Sequence, residues 1–411
     1  MKLTTIYGRA GCGKTTKLVE LIKSCKKYVV LAPTNAAVEN IFKMVGNGKR
    51  EKFKTIYSFF RIDYENDLVL GMVTPVETIF IDEFGLINKS LFKKCYKDAE
   101  AKGCKHIIMT GDVMQLNPIY LTKQSISFNK LKWWYGVWEH LKKSFALSPS
   151  VIEHVHLNVF GTKLVRSSEL VPLSVNFRSS GYVKDVLNHV YSGDVNFAYN
   201  FAEFYDIPKM IENDGFTFIA SKYSILQRMF DNLAEYWKTI GRDYVTFTQS
   251  VGKSLTYKKL YLYPGMKLVI CDTKKDKYIN GQEVIYTGNM DADCLNCVNV
   301  LTGEMVQVQK SSDAYGNAFY PVTPSQLLTV HKSQGRTIKN VIVCVDDVFD
   351  MCMLYTAITR AQEGLCFYSK VDMKKRVQTL LNAARINEFK QLNKLVEQLS
   401  NVTPSHDECE A

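Results

Sequence analysis

Near its start the chain reads Gly8-Arg9-Ala10-Gly11-Cys12-Gly13-Lys14-Thr15, three glycines, a lysine and a hydroxyl at the spacing of a phosphate-binding loop. Glycines let successive backbone N–H groups turn inward around a β-phosphate, Lys14 can reach the β and γ oxygens, and the Thr15 hydroxyl can ligate Mg²⁺. The backbone of Gly8, Ala10, Gly11, Cys12 and Gly13 would make the cradle, with Thr16 next to it at the head of a helix. The flanks agree: Leu3 to Tyr7 predicts a strand before the loop and TTKLVELIKSC a helix after it.

Such a loop needs a carboxylate at a neighbouring strand end. Residues 77–87, ETIFIDEFGLI, form an apolar run closing on Asp82-Glu83. Two adjacent acids allow two tasks: Asp82 joins Thr15 in a magnesium shell, and Glu83 orients and deprotonates the attacking water. A third apolar run, HIIMTGDVMQLNPIY (106–120), ends in Gly111-Asp112, and the neutral amide of Gln115 just beyond can sense a γ-phosphate.

With these blocks on the page, the order of motifs resembles superfamily 1 helicases, specifically the RecD/Dda-like (PIF-type) branch of superfamily 1B. LAPTNAAVENI (31–41) looks like that family's motif Ia, TIYSFF (55–60) its Ib, VPLSVNFRSS (171–180) its IV, LLTVHKSQGRTI (327–338) its V and MLYTAITRAQ (353–362) its VI. The resemblance runs from residue 8 to residue 362 and implies an α/β fold of two RecA-like parallel-sheet domains, with ATP and Mg²⁺ at the cleft between them. It also implies that Arg178 and Arg360 are arginine fingers stabilising charge on the transferred phosphoryl group.

A single-strand track needs hydroxyl and amide donors for phosphates. Thr34, Asn35 and Ser58 are the candidates in the first domain, and Thr329, His331, Ser333 and Gln334 those in motif V, where Gly335 permits close approach of backbone to phosphate. Phe59 and Phe60, in an apolar run, are expected in the core, as is the Trp133-Trp134-Tyr135-Trp138 cluster, there or at a domain interface.

The elements that position these residues divide the chain into two RecA-like domains, an insertion and a tail. Residues 1–170 form the first RecA-like domain, with a small hairpin insert at 61–76; residues 171–256 and 324–370 form the second. Between the two parts of the second lies 257–323, short alternating β-type runs broken by Pro264-Gly265, Asn280-Gly281 and Thr302-Gly303, which resembles the SH3-like β insertion of this branch. Residues 371–411 read as a helical tail with a polar, acidic end.

Composition bounds the rest. A chain of 411 residues, 46% apolar and 23% charged, is neither disordered nor a single compact core, and no run reaches the length of a membrane span. The eleven cysteines follow an N-terminus without an apolar signal segment, so they are expected reduced, in a soluble intracellular protein of cytoplasm or nucleus. Cys294 and Cys297 have C-x-x-C spacing but no second ligand pair, which argues against zinc. Net charge +11 suits a polyanionic partner.

The expectation is an ATP-dependent helicase, a monomer moving 5′→3′ on single-stranded DNA and unwinding forked duplex. A viral-type RNA helicase and an ATP-switched nucleic-acid clamp are the alternatives. The short first insert hints at a viral or phage replication accessory.

Overall fold

The computed structural model describes residues 1–112, 115, 169–249 and 257–372, apart from 47, 64–67, 88, 174, 193–196, 275–276, 292, 314–315, 347 and 349–350, together with 375, 376 and 379. The tryptophan cluster, residues 116–120 of the third apolar run and nearly all of the expected helical tail lie outside the described residues. No helix among the described residues is long and apolar enough to cross a membrane.

Runs such as YVVLA, TIFI and HIIMTG are apolar on both faces, the pattern of strands covered by helices on either side. They form a six-stranded parallel sheet in the order Phe53–Thr55, Tyr28–Ala32, Thr78–Ile81, His106–Gly111, Lys2–Gly8, Glu169–Leu173. Period-two alternation divides its core, with Ile79 and Ile81 packing in one cluster and Phe80 in the other, the latter against Leu18 and Ile22 of helix Lys14–Lys23. Phe59 and Phe60 are buried in the first of these cores, as expected.

Two boundaries differ from the sequence reading. Glu169–Leu173 pairs in parallel with the phosphate-loop strand, so the first sheet runs past residue 170 and takes in the start of motif IV. The hairpin of Val245–Thr248 with Lys259–Leu262 likewise straddles the expected start of the insertion at 257. Within 61–76, Ile62–Asp63 pairs antiparallel with Leu68–Val69.

A second parallel sheet has the order Leu327–Thr329, Phe216–Ala220, Ile338–Cys344, Ala361–Tyr368. Between its strands in sequence lies a five-stranded antiparallel sheet, ordered Met305–Gln309, Cys294–Asn299, Glu283–Asp291, Lys267–Ile270, Val322–Pro324. Its inward residues Leu268, Val284, Leu295 and Val308 share one core with Phe218, Ile342 and the helix Tyr223–Thr239, which anchors the insertion to the second sheet. Cys294 and Cys297 stand three apart on one extended strand and so point to opposite faces. Cys297 is buried, its thiol pushed up by desolvation to about 12, and it serves as a small apolar residue.

Candidate active site

The in-register pairing Ile6–Thr110 and Ile81–Met109 brings three strand ends level, so the phosphate loop, Asp82 and Asp112 lie side by side. Gly13, at φ 81°, starts helix Lys14–Lys23 without a side-chain cap, leaving the amides of its first turn available to an anion. The Lys14 ammonium donates to the carbonyls of Gly8 (2.8 Å) and Arg9 (2.7 Å). Thr16 is exposed on the first turn. Thr15 Oγ1 donates to Asp82 Oδ2 at 3.1 Å, and Thr110 donates to the other oxygen, Oδ1. A hydroxyl and a carboxylate at the mouth of a phosphate loop are a hard oxygen set that fits Mg²⁺.

Glu83 comes next with a left-handed backbone, φ 53°, one of two non-glycine residues in that region among those described. The conformation costs on the order of 1–2 kcal/mol for an L-residue, and it turns the chain sharply after Asp82. Burial, then the neighbouring Asp82 carboxylate, push the Glu83 carboxyl above its ordinary range, while Arg360 and Lys14 pull it back. Burial also raises Asp82 against the hydrogen bonds from Thr110 and Thr15. Arg360 is itself fully buried, and desolvation and nearby Arg178 lower its guanidinium to about 10, with Glu83 and Asp112 holding it charged. It donates to Thr356 O (3.0 Å), Arg336 O (3.3 Å) and Thr359 Oγ1 (2.8 Å).

Residues just after the first sheet's last strand, and residues of the second sheet, close over the loop. Phe177 N–H donates to Gly11 O at 2.8 Å, and Asn176 Oδ1 accepts from the N–H groups of Arg178 and Ser179, a tight turn that sets Arg178 against the loop. A β-carbon at Gly11 would lie 2.3 Å from that Asn176 oxygen, so only glycine allows the approach. Arg178 reaches Thr359 O at 3.4 Å, and Ala10 packs into the second sheet's core beside Val183 and Leu354. Ala10 N–H donates to the Tyr355 hydroxyl (3.2 Å), which in turn donates to Asp112 Oδ2 (3.2 Å). Gln115 is buried, its Nε2 on Asp112 at 3.4 Å and its Oε1 without a partner among the described residues.

The expected strand contacts are placed less uniformly. Thr34, Thr329 and Thr55 each cap a helix, accepting from the N–H three residues on, and exposed Ser58 bonds back to Thr55 O at 3.0 Å. Asn35 opens helix Asn35–Val45, His331 is exposed and Gln334 is buried. Ser333 is 0% exposed with its hydroxyl donating to Val330 O, so it holds the short motif V helix rather than facing a strand. Gly335, at φ 78°, has its α-hydrogen side against Ala37 of helix Asn35–Val45. Next to these residues in sequence, but lined by none of them except Gly335, is a cavity of about 1140 Å³ where both sheets and the insertion meet. Lys43, Arg50, Lys274, Lys277, Arg336 and Lys339 line it; Glu39 and Glu283, its two acids, are paired with Arg50 and Arg336.

Tyr355, Asn176, Phe177 and Thr110 escaped the sequence reading. All four lie inside blocks already read, but an aromatic in an apolar helix looks like core, and only the fold shows that the Tyr355 hydroxyl reaches residues 345 and 243 positions away. Phe177, 76% exposed beside Gly13, carries the clearest signal in retrospect, since a large exposed aromatic next to a phosphate loop has no packing explanation.

A family model described as an AAA domain matches residues 1–124, and one described as a UvrD-like helicase C-terminal domain matches residues 324–368. The ATP-dependent DNA helicase Pif1 of Campylobacter jejuni is 22% identical over 406 residues, covering 87% of this chain and 86% of its own length. Among solved structures, Bacteroides Pif1 in complex with ADP-AlF3 and single-stranded DNA superposes with a TM-score of 0.58 at 19% identity, over 91% of this chain and 90% of that one. Pif1 from Candida albicans gives 0.57 at 17% identity over 96% and 95%. These relatives come from cellular organisms, and the two structures share the fold of parallel RecA-like sheets. The chain thus matches an AAA domain model near its start and a UvrD-like helicase C-terminal domain model near its end, and along most of its length it is similar to the Pif1 helicases.

Proposed function

We propose that the chain is an ATP-dependent DNA helicase that moves 5′→3′ along a single strand and unwinds forked duplex. The observation that carries this is the pair of hydrogen bonds that Tyr355, on helix Met351–Ile358 of the second sheet's unit, makes with Ala10 of the phosphate loop and with Asp112 beside it. Phosphate entering the loop takes the Ala10 N–H from Tyr355, so nucleotide occupancy and the contact between the two sheets are exclusive at one atom. That exclusivity converts binding and hydrolysis into relative motion of the two units.

In this reading Lys14 and the amides of Gly8 to Thr16 hold the phosphates, and Thr15 and Asp82 hold Mg²⁺, which neutralises phosphate charge when bound. Glu83 takes the proton from water, Gln115 places that water through its amide oxygen, and Arg178 and Arg360 face the charge that develops. The Phe177 ring offers a stacking surface to the base. The basic cavity between the sheets and the antiparallel sheet, read as an SH3-like insertion, carries strand phosphates, and Asn35, Ser58, His331 and Gln334 are further strand contacts. Binding should then weaken steeply with salt. Replication is the setting such an activity serves.

An unwinding assay on forks with DNA or RNA in each tail tests the whole reading. Strand displacement requiring a 5′ DNA tail is expected; displacement from a 3′ tail overturns the polarity, equal use of RNA overturns the sugar preference, and ATPase without displacement leaves a clamp. The Tyr355→Phe variant tests the coupling separately. Both hydroxyl bonds are lost, and the one to Ala10 N–H, worth about 1–1.5 kcal/mol, no longer competes with phosphate, so the apparent Kd for ATP, read by titration calorimetry, drops about tenfold, while stimulation of turnover by oligo-dT is lost.

A further inference from the structure

A separate cavity of about 610 Å³ opens on the second sheet's unit, between helix Tyr223–Thr239, strand Lys259–Leu262 and the end of strand Ala361–Tyr368. It shares no lining residue with the larger basic cavity. Side-chain bonds fix its walls: Asn232 donates to Phe204 O (2.9 Å), Tyr261 OH to Asp231 (2.8 Å), and Gln227 clasps the Lys259 backbone through both its carbonyl (3.1 Å) and its N–H (3.0 Å).

Two features of this cavity are unspent. Tyr205 lines it while 84% exposed, its ring 5.6 Å from that of Phe204, which in turn lies 5.8 Å from Tyr368. An aromatic left this open has no role in packing. The charges are also unbalanced. Asp231 already accepts from Tyr261 and Gln227, and Glu235 is paired with Lys238 at 2.7 Å, whereas Arg228, Lys259 and Lys370 make no ion pair among the described residues. The Arg228 guanidinium carbon lies 5.6 Å over the Phe204 ring and extends the platform. Open aromatic faces bordered by unpaired cations are what a base and its flanking phosphates require, and neither element reads sequence.

We propose that this cavity is a second binding site for single-stranded DNA, which takes a base against Tyr205 and Phe204 and its phosphates on Lys259 and Lys370. Resting on the helicase reading, it holds the strand that unwinding displaces, which keeps the two products from reannealing behind the moving enzyme.

The test is fluorescence anisotropy without nucleotide, using a labelled fork with two oligo-dT arms and a duplex with a single 5′ oligo-dT tail. The parent protein should bind the fork more tightly. The triple variant Tyr205→Ala/Lys259→Ala/Lys370→Ala, whose side chains are exposed and leave the fold intact, should lose about tenfold on the fork, bind both probes alike, and show a salt dependence shallower by about two phosphate contacts. Its ATPase stimulated by oligo-dT stays at the parent level. Photocrosslinking of 5-iododeoxyuridine in the 3′ arm should map to the peptide holding Tyr205. Equal affinity of the variant and parent for the fork overturns the site, as does an equal loss on both probes. The two readings fail separately: fork preference and the crosslink without strand displacement retain the site and sink the helicase, while displacement without fork preference sinks the site alone.

Discussion

The Glu83→Gln variant is expected to lose ATP turnover by about a thousandfold or more while binding ATP within a few-fold of the parent. The substitution keeps the shape of a partly buried side chain and removes only its ability to take a proton. Lys14→Ala, by contrast, should lose binding and turnover together, because in the proposed function its ammonium holds the phosphates. Near-parental hydrolysis by Glu83→Gln would remove Glu83 as the base.

Two pH effects accompany that result, both set by the raised carboxyl of Glu83. A base must be ionised, so kcat/KM falls as pH drops through the raised value, and its acid limb should lie above the ordinary glutamate value of 4.5. Stability moves the other way. The folded protein binds protons at Asp82 and Glu83 more readily than the unfolded chain, so their contribution is favourable at low pH and is lost as pH rises above the ordinary values of 3.8 and 4.5. A neutral glutamine escapes that loss, and Glu83→Gln should therefore melt no lower than the parent at neutral pH. A clear drop in Tm would show that the Glu83 charge holds the fold rather than the chemistry.

The second large effect is expected at Arg360. Arg360→Ala should cut turnover about a thousandfold, the range of an arginine finger. The side chain also donates to Thr356 O, Arg336 O and Thr359 Oγ1, and its removal orphans buried acceptors, so a drop in Tm accompanies the loss. Activity alone therefore does not separate the two roles, but the pH profile does. Arg360 is the first-ranked charge holding Glu83 down, and without it the acid limb of kcat/KM moves to higher pH. Arg360→Lys keeps a positive charge with a shorter reach, and it should leave the limb near its parental position while still losing turnover. A loss below tenfold in Arg360→Ala, with an unmoved limb, would make the residue structural. Arg178, half-buried and, among the described residues, with its side chain on Thr359 O at a long 3.4 Å, has less to lose in stability, so its alanine variant isolates the catalytic effect.

How much of this was legible before folding depends on the range of the interactions involved. The phosphate loop, the Asp82-Glu83 strand end and the buried Phe59-Phe60 pair were readable because their determinants are local: glycine permits a turn, period two assigns faces, and the residues just past a strand's end stand at the edge of the sheet. The tertiary structure decided the rest. It gave Glu169–Leu173 to the first sheet, because a strand's own sequence says that it is buried but not which neighbour it pairs with. It turned the Ser333 hydroxyl inward to Val330 and set Gly335 against Ala37, because a four-residue helix has no periodicity to show which side faces the core. Above all it brought Asn176 to Gly11, through the pairing of Glu169–Leu173 with the phosphate-loop strand, and Tyr355 to Ala10 and Asp112, where the second sheet's unit docks on the first. The sequence by itself determined a phosphate-loop pattern and its acidic strand end; only the docking of the second unit decided which of its residues bonds to that loop, since that depends on packing between surfaces hundreds of residues apart.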